Sequence, residues 1–324
     1  MTRTMRWLSR GLAAATFLSA ALLAGAQDKY PTRNLEVMVP WGPGGGADTI
    51  GRLVARWLET DLGATAPVVN TAGATGVIGL SKLMQSANDG HNLGILTSDT
   101  LMAIGINPKT LKAADLVPLA VLSRQPSGLF IRSDSRFKSW NDVVAEAMAK
   151  PGTVSVATTG PGSPDDASID YLGTKGIKMT AVAYSKPGER YAAVLGGHVD
   201  LLFEQAGDIK VHLDAKSMRP ILFFMPQRVA APFAEVPVAG ELGYDFLPPQ
   251  LRAVVVRSDI DPKKSALLAA SLDRFAASKE YAAYLKDQLA LPDSYVAAAA
   301  APAFLGQDLT AMKRVFALLP SAPK

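Results

Sequence analysis

The chain has 324 residues, of which 48% are hydrophobic, and its 33 basic and 29 acidic side chains give a formal net charge of +4. It contains no cysteine, which excludes cysteine nucleophiles, thiolate metal sites and iron–sulfur clusters. Its length is sufficient for two lobes, each with its own hydrophobic core.

Residues 1–26 have the features of a secretory signal. Three arginines within the first ten residues form a basic start, residues 12–23 are apolar but too short to span a bilayer, and Ala24-Gly25-Ala26 is a small-residue cleavage site. We therefore expect a periplasmic protein that is cleaved near Ala26. Removal of the segment takes away three basic residues and lowers the net charge to about +1, which argues against nucleic acid as a partner.

A glycine-rich loop joins the first predicted strand, Leu35–Val39, to the first predicted helix. The helix is indicated by apolar residues at helical spacing, which are Ile50, Leu53, Val54, Trp57 and Leu58. Asp48 stands where an N-cap is expected, and it can pair with Arg52 four residues later. A glycine loop before a helix aims free backbone N–H groups at one point, which favours binding of an anion.

Two other interpretations of this loop are open. The pattern Gly42-x-Gly44-x-x-Ala47 fits the dinucleotide-binding fingerprint, but the next strand ends in Asn70, where such an enzyme would have an acidic residue for the ribose. The loop could also be a turn without a ligand. A site for a small carboxylate is the favoured interpretation.

Two further β-loop-α units follow. Strand Ala66–Val69 leads through the glycine-rich turn at residues 71–79 into a helix that extends to Met84, and strand Leu93–Leu96 leads into a polar loop, Thr97–Thr100. Such units form a parallel sheet, and their loops meet at the carboxyl edge of the sheet, where ligands bind.

Extended runs on both sides of Pro126 predict a crossing into a second lobe, which repeats the alternation of strands and helices. The segments predicted there are helix Trp140–Ala149, strand Val154–Ala157, loop Thr158–Ser163, helix Asp165–Thr174, strand Thr180–Tyr184, helix Glu189–Leu195, and strands Val199–Phe203 and Ile221–Met225. A last strand, Ala253–Val256, precedes a helical tail. The expected organisation is a signal at residues 1–26, a first lobe at 27–124, a second lobe at 125–250, and a return to the first lobe at 251–324.

Six motifs occur in an order that resembles the tripartite tricarboxylate transporter receptors, also called the Bug family. They are Pro40-Trp41-x-Pro43-Gly44-Gly45-Gly46-x-Asp48, Gly73-x-x-Gly76-x-Ile78-Gly79, Asp89-Gly90, Thr159-Gly160-x-Gly162-Ser163, Leu195-Gly196-Gly197-x-Val199-Asp200 and Val236-Pro237 with Glu241-x-Gly243-Tyr244. The resemblance implies an α/β type II periplasmic binding fold of two lobes, each a mainly parallel sheet flanked by helices. It also implies that a ligand carboxylate lies between the loops Trp41–Ala47 and Thr158–Ser163.

The same resemblance implies the function and the partners. The protein is expected to be a monomeric receptor, not an enzyme, that captures a small organic acid, amino acid or related carboxylate in the cleft, without a cofactor or a metal. It would deliver the ligand to the membrane permease subunits of a tripartite transporter or to a sensor protein. Four departures from the family pattern leave the ligand open: Val77, Ser185-Lys186-Pro187, Asp165-Asp166 and Arg252.

The candidate ligand-binding residues come from the predicted loops and strand ends. They are Trp41, Gly42, Gly44, Gly45, Gly46, Ala47, Gly76, Val77, Thr97, Ser98, Thr159, Gly160, Gly162, Ser163, Asp165, Asp166, Tyr184 and Glu204. Each has a structural alternative: Trp41 can pack on its loop, and the hydroxyl groups can cap helices. Asp165 and Asp166 can hold a cation or can simply stabilise the first turn of a helix.

Catalysis has little support in the sequence. The chain contains no G-x-S-x-G elbow and no His-x-x-x-His pair, and His91, His198 and His212 lie beside turns, where surface positions are expected. An exported hydrolase or oxidoreductase on a similar scaffold is the alternative function, and a partner-binding module with a vestigial cleft is a third.

Overall fold

The chain folds around two β-sheets in a computed structural model that describes residues 30–245 and 247–319. The predicted signal segment, residues 1–26, lies outside the described residues. In chain order the strands are β1 Glu36–Val39, β2 Val68–Asn70, β3 Asn92–Thr97, β4 Leu116–Gln125, β5 Ser127–Arg132, β6 Ser155–Thr158, β7 Thr180–Ala183, β8 Leu201–Gln205, β9 Met218–Phe223, β10 Gln250–Arg257 and β11 Val296–Ala297.

The α-helices cover the faces of both sheets. They are α1 Gly46–Leu62, α2 Val77–Gln85, α3 Ser98–Ile106, α4 Trp140–Ala149, α5 Pro164–Thr174, α6 Pro187–Leu195, α7 Lys210–Asp214, α8 Pro262–Ala276, α9 Lys279–Asp287 and α10 Ala301–Phe316. Among the described residues, no helix has both the length and the apolar character that crossing a membrane requires.

The order of the strands in the first sheet is β11-β4-β10-β3-β1-β2, and in the second it is β7-β6-β8-β5-β9. β1 pairs in parallel with β2 and β3, and β6 pairs in parallel with β7 and β8. The two-lobed α/β prediction is confirmed. The sheets are mixed rather than mainly parallel, because β10 and β4 in the first sheet and β5 and β9 in the second run antiparallel to their neighbours.

Each sheet separates two apolar clusters, as the alternation of side chains along a strand requires. In β10, Val254 and Val256 pack toward α1 and α8, whereas Val255 packs toward α2 and α3. In β5, Leu129 and Phe130 likewise belong to opposite faces of the second sheet. Both faces are therefore buried, and the loops at the strand ends are left to form the surface between the lobes.

Three local predictions were wrong. Asp48 is not the N-cap of α1: Gly45 holds that position, because the loop is extended through it, and Asp48 lies in the first turn. Residues Ser98–Thr100 are not a loop, because Thr97 ends β3 and at once caps α3 by accepting from the Thr100 N–H. His91 is buried rather than on the surface, and its ring accepts a hydrogen bond from the Thr32 N–H at 3.1 Å.

Candidate functional site

A cavity of about 40 Å³ lies where the carboxyl ends of the two sheets face each other. The first lobe contributes the loop before α1, the end of β3, the start of α3, and β10. The second contributes the residue after β6, one face of α6, and the end of β8 with the turn that follows it. The lining residues are Trp41, Gly45, Gly46, Ala47, Thr97, Asp99, Thr159, Pro187, Arg190, Tyr191, Glu204, Gln205, Asp208, Gln250 and Arg252.

The start of α1 presents backbone donors to this cavity. The Gly44 N–H donates to Asp48 Oδ2 at 3.1 Å, and the same carboxylate pairs with Arg52 at 2.9 Å, as the i+4 spacing predicted. Burial raises the pKa of Asp48, but the hydrogen bonds from Arg52 and Gly44 outweigh that effect and hold it below its usual value. Within the described residues, no acceptor meets the N–H groups of Gly46 and Ala47. The helix start therefore has donors available for an anion.

Trp41 and Asn70 hold the loop in place. The Trp41 indole packs in the core of the first lobe, and its N–H donates to Thr97 Oγ1 at 3.2 Å. The Asn70 amide donates to the Trp41 carbonyl and to Asp48 Oδ1, both at 3.0 Å. Asn70 thus occupies the position at which a nucleotide-binding enzyme would have an acidic residue, and here it supports the loop.

An ion pair between Arg252 of β10 and Asp208, which follows β8, joins the two lobes across the cavity. The two side chains are only 3% and 4% exposed. Burial raises the pKa of Asp208 to about 6, although the Arg252 charge opposes the shift. Nε and Nη1 of Arg252 and Oδ1 of Asp208 make no hydrogen bond of good geometry among the described residues, although Tyr284 adjoins Arg252 and Gln125 adjoins Asp208. This buried ion pair therefore has hydrogen-bond donors and acceptors that its neighbours do not fully satisfy.

A second ion pair lies within the second lobe. Arg190 donates to Glu204 Oε2 at 2.6 Å and to the Tyr184 carbonyl at 3.0 Å, and the Tyr191 hydroxyl donates to the same Glu204 oxygen at 3.0 Å. The Gln205 N–H donates to the other carboxylate oxygen at 3.2 Å. Burial lowers the pKa of Arg190, but the Glu204 charge outweighs this, so the guanidinium stays charged. The contacts on Glu204 make it a well-satisfied structural anion.

Asp99 and Asp165 meet through one hydroxyl group. Thr159 Oγ1 lies 3.2 Å from Asp99 Oδ1 and 2.9 Å from Asp165 Oδ2, and the Thr159 N–H also donates to Asp165 at 2.9 Å. Gln250 donates to the other oxygen of Asp99. Burial raises the pKa of both carboxyl groups, and the Asp99 charge raises that of Asp165 further.

Seven of the residues proposed from the sequence line the cavity. They are Trp41, Gly45, Gly46, Ala47, Thr97, Thr159 and Glu204. Of the two loops expected to hold the carboxylate, Trp41–Ala47 contributes four lining residues and Thr158–Ser163 contributes Thr159 alone. Gly160 and Gly162 lie outside the cavity lining, because the second lobe presents α6 and the end of β8 at this place. A Cβ at Gly45 would lie 2.7 Å from the Pro187 ring, so the first loop packs on the start of α6.

The other proposed residues support the site from behind or lie apart from it. Ser98 accepts from the Leu251 N–H, Ser163 caps α5, and Asp166 accepts from the Thr158 hydroxyl. Gly76 and Val77 pack within the first lobe, Gly42 lies against Lys186, and the Gly44 amide is bound to Asp48. Tyr184 contributes its carbonyl to Arg190, and Asp165 adjoins the lining through Thr159.

Half of the eight lining residues missing from the proposed set are charged. The eight are Asp99, Pro187, Arg190, Tyr191, Gln205, Asp208, Gln250 and Arg252. The sequence offers two signals for these residues: Arg252 and Pro187 depart from the family pattern, and Gln205 adjoins the candidate Glu204. No local pattern marks Asp208 or Asp99, because their partners are 44 and 151 residues away in the chain.

Residues 50–298 match the family described as "Tripartite tricarboxylate transporter family receptor". The protein BugT of Bordetella pertussis is 29% identical over 304 residues, which cover 91% of this chain and 89% of BugT.

Among solved structures, MatC of Rhodopseudomonas palustris with bound malate superposes with a TM-score of 0.79 at 23% identity, over 88% of this chain and 99% of MatC. An adipate-bound protein of R. palustris gives a TM-score of 0.80 at 22% identity, over 88% and 97% of the two chains. These likenesses confirm the type II periplasmic binding fold. The chain belongs to the tripartite tricarboxylate transporter receptor family.

Proposed function

We propose that this receptor captures a small carboxylate between its lobes, with the carboxylate at the start of α1. The observation that carries the proposal is the set of donors there: Gly46, Ala47 and Arg252 line the cavity, the N–H groups of Gly46 and Ala47 meet no acceptor among the described residues, and Nη2 of Arg252 lies beside Gly46. A helix start stabilises an anion, and a guanidinium adds charge-assisted hydrogen bonds. The malate and adipate in the two relatives of the same fold support a carboxylate as ligand.

The proposal includes where the protein works and with what. Export removes residues 1–26, and the mature chain is a periplasmic monomer without catalytic activity that hands its ligand to transporter permease subunits or to a sensor. Its lobes comprise residues 27–124 with 251–324, and residues 125–250. An exported enzyme on this scaffold is the alternative, and turnover of a bound compound would favour it.

Ligand access requires the lobes to separate. A cavity of about 40 Å³ holds only about two or three water molecules, which is far less than a dicarboxylate needs. The Arg252–Asp208 pair and the hydrogen bond from Thr75 to the Pro161 carbonyl, at 3.1 Å, both cross between the lobes. A ligand that bridges the lobes would favour the closed form by its difference in affinity for the two forms.

A thermal-melt screen of mono-, di- and tricarboxylates, amino acids and aromatic acids tests the carboxylate site. A ligand at 100 times its dissociation constant stabilises the protein by about 2.7 kcal/mol, which raises the melting temperature by several degrees. Gly46→Ala is the diagnostic variant, because its Cβ would overlap Arg252 and Asp208. We expect binding to weaken at least about tenfold, or about 1.4 kcal/mol.

Gly306→Ala is the matched control, since a Cβ there meets no atom within 4 Å. It should respond to the ligand as the wild type does. The carboxylate site is refuted if the best stabiliser lacks a carboxylate, or if folded Gly46→Ala protein gives the same shift as the control.

A further inference from the structure

Buried acids outnumber buried bases around the cavity. Arg190 and Arg252 are the only buried Lys or Arg side chains within residues 30–245 and 247–319. Glu204 is paired with Arg190, and Asp208 with Arg252. Asp99 and Asp165 are 2% and 3% exposed and have no such partner. Because an uncompensated buried carboxylate is costly, these two groups either hold a proton or receive a cation.

The hydrogen bonds at Thr159 indicate a shared proton. A hydroxyl group has one hydrogen to donate, yet Thr159 Oγ1 lies within hydrogen-bond distance of both Asp99 and Asp165. Both contacts are satisfied when one carboxyl group is protonated and donates to Oγ1 while the hydroxyl donates to the other. Asp99 belongs to the first lobe and Asp165 to the second, so the shared proton lies between the lobes.

Unused acceptors that line the same cavity form an independent observation. Among the described residues, Oδ1 of Asp208 and Oε1 of Gln250 make no hydrogen bond of good geometry, and both residues line the cavity. The Asp208 side chain is 4% exposed and Gln250 is 8% exposed, so water gives them little compensation. The Gln250 amide nitrogen donates to Asp99, which places the unused Oε1 next to that carboxylate. These atoms call for a group that donates several hydrogen bonds.

A protonated amine fits this subsite better than a metal ion does. An ammonium group offers three donors and one positive charge, which match two acceptors beside a carboxylate. Among the described residues, no cluster of three or more histidine or acidic side chains is arranged to hold a metal ion. Gly46 and Arg252, which would donate hydrogen bonds to the ligand's carboxylate, line the same cavity. One small molecule can therefore reach both subsites.

We propose that the ligand of this receptor is a zwitterionic amino acid, whose ammonium group binds among Asp99, Asp208 and Gln250 while its carboxylate lies at the start of α1. This inference rests on the proposed carboxylate site and adds a cation subsite to it. When the ammonium group arrives, the proton shared by Asp99 and Asp165 leaves to solvent, because the ligand then supplies the positive charge.

The test compares matched ligands that differ only in the amine: L-alanine with propionate, L-aspartate with succinate, and L-glutamate with glutarate. Titration calorimetry on the mature protein should show at least about tenfold tighter binding of the amino acid in the pair that fits. Repeating it in buffers of different ionisation enthalpy should show the release of up to about one proton with the amino acid and none with its deaminated partner.

Asp99→Asn should weaken amino acid binding about tenfold or more and leave the deaminated acid nearly unaffected, whereas Asp134→Asn, at a carboxylate that is 78% exposed, should change neither. If a deaminated acid binds as tightly as its amino acid, the cation subsite is overturned while the carboxylate site stands. If no acid of either kind binds, the proposed function itself fails, and the subsite fails with it. The wild-type comparison decides the matter even if Asp99→Asn does not fold.

Discussion

Asp165 illustrates how a single buried carboxyl group links this site to pH. Its pKa is raised well above 3.8 by burial and by the Asp99 charge, so the folded protein binds a proton that the unfolded chain has already released. A raised carboxyl pKa stabilises the folded state at low pH, and that contribution is lost as the pH rises through the folded value. Asp208, with a pKa of about 6, acts in the same direction.

Asp165→Asn should therefore make the protein less sensitive to alkaline pH. Its amide oxygen can still accept from the Thr159 N–H, but no charge has to be buried. We expect the free energy of unfolding to fall less between pH 5 and pH 8 in Asp165→Asn than in the wild type. Urea unfolding at pH 5 and pH 8 measures this. Equal pH dependence in wild type, Asp165→Asn and the exposed control Asp134→Asn would contradict the assignment.

Single-residue roles were predictable where their cause is local. The pairing of Asp48 with Arg52 follows from helical spacing, and the distance of 2.9 Å confirms it. The site's charged contacts are not local: Gln250 meets Asp99 only when β10 pairs with β3, and Arg252 meets Asp208 only when the two lobes come together. The sequence places such residues at strand ends, as with Glu204, but it does not show which residues pair with each other.

At the scale of elements, the starts of α1 and α6 approach each other from opposite lobes. Gly45 has extended backbone angles, φ −97° and ψ 176°, which any residue can adopt. The glycine is required instead by proximity, since a Cβ would lie 2.7 Å from Cγ of Pro187. The obstruction to a larger residue at Gly45 therefore lies in the facing lobe and not in the dihedral angles of the loop.

A double-mutant cycle at this contact should show coupling. Gly45→Ala alone should weaken ligand binding, because the added methyl group keeps the loop and α6 apart. Pro187→Ala removes the Cγ atom, so Gly45→Ala combined with Pro187→Ala should recover part of the loss, by about 0.5–3 kcal/mol of interaction energy. Binding constants of the four proteins measure it. Additive effects would show that Gly45 acts within its own loop.

A helix or strand could be predicted from the sequence where the residues that determine it lie within that helix or strand. The spacing from Ile50 to Leu58 predicted α1, and helix Trp140–Ala149 has the bounds expected from the sequence. Thr97–Thr100 was misjudged because polar residues after a strand are typical of both a loop and a helix cap. The antiparallel direction of β10 depends on the path of the whole chain, which no local pattern encodes.

The whole molecule is held closed by contacts that lie outside the cavity as well as within it. An apolar cluster joins Met102 of α3 in the first lobe to Tyr171 of α5 in the second, with Met312 and Val315 of α10 between them. Since α10 also packs on β4 and α3, it moves with the first lobe. Separation of the lobes therefore exposes part of this cluster, and the apolar contact favours closure independently of the ligand.

Met312→Ala should shift the molecule toward the open form. Truncation of a fully buried methionine lowers the free energy of unfolding by about 2–5 kcal/mol. The part of this loss that comes from contacts with α5 destabilises the closed form alone, because those contacts break when the lobes separate. If this closed-form destabilisation is about 1.4 kcal/mol, the closed fraction falls as much as tenfold when the open form predominates. Ligand affinity then falls by the same factor, because only the closed form binds the ligand tightly. Small-angle scattering should show a larger radius of gyration without ligand, which returns to the wild-type value at saturation. Met148→Ala is the control, since Met148 is 57% exposed on α4. If Met312→Ala matched this control in both radius and affinity, the cluster would stabilise the first lobe and not its closure on the second.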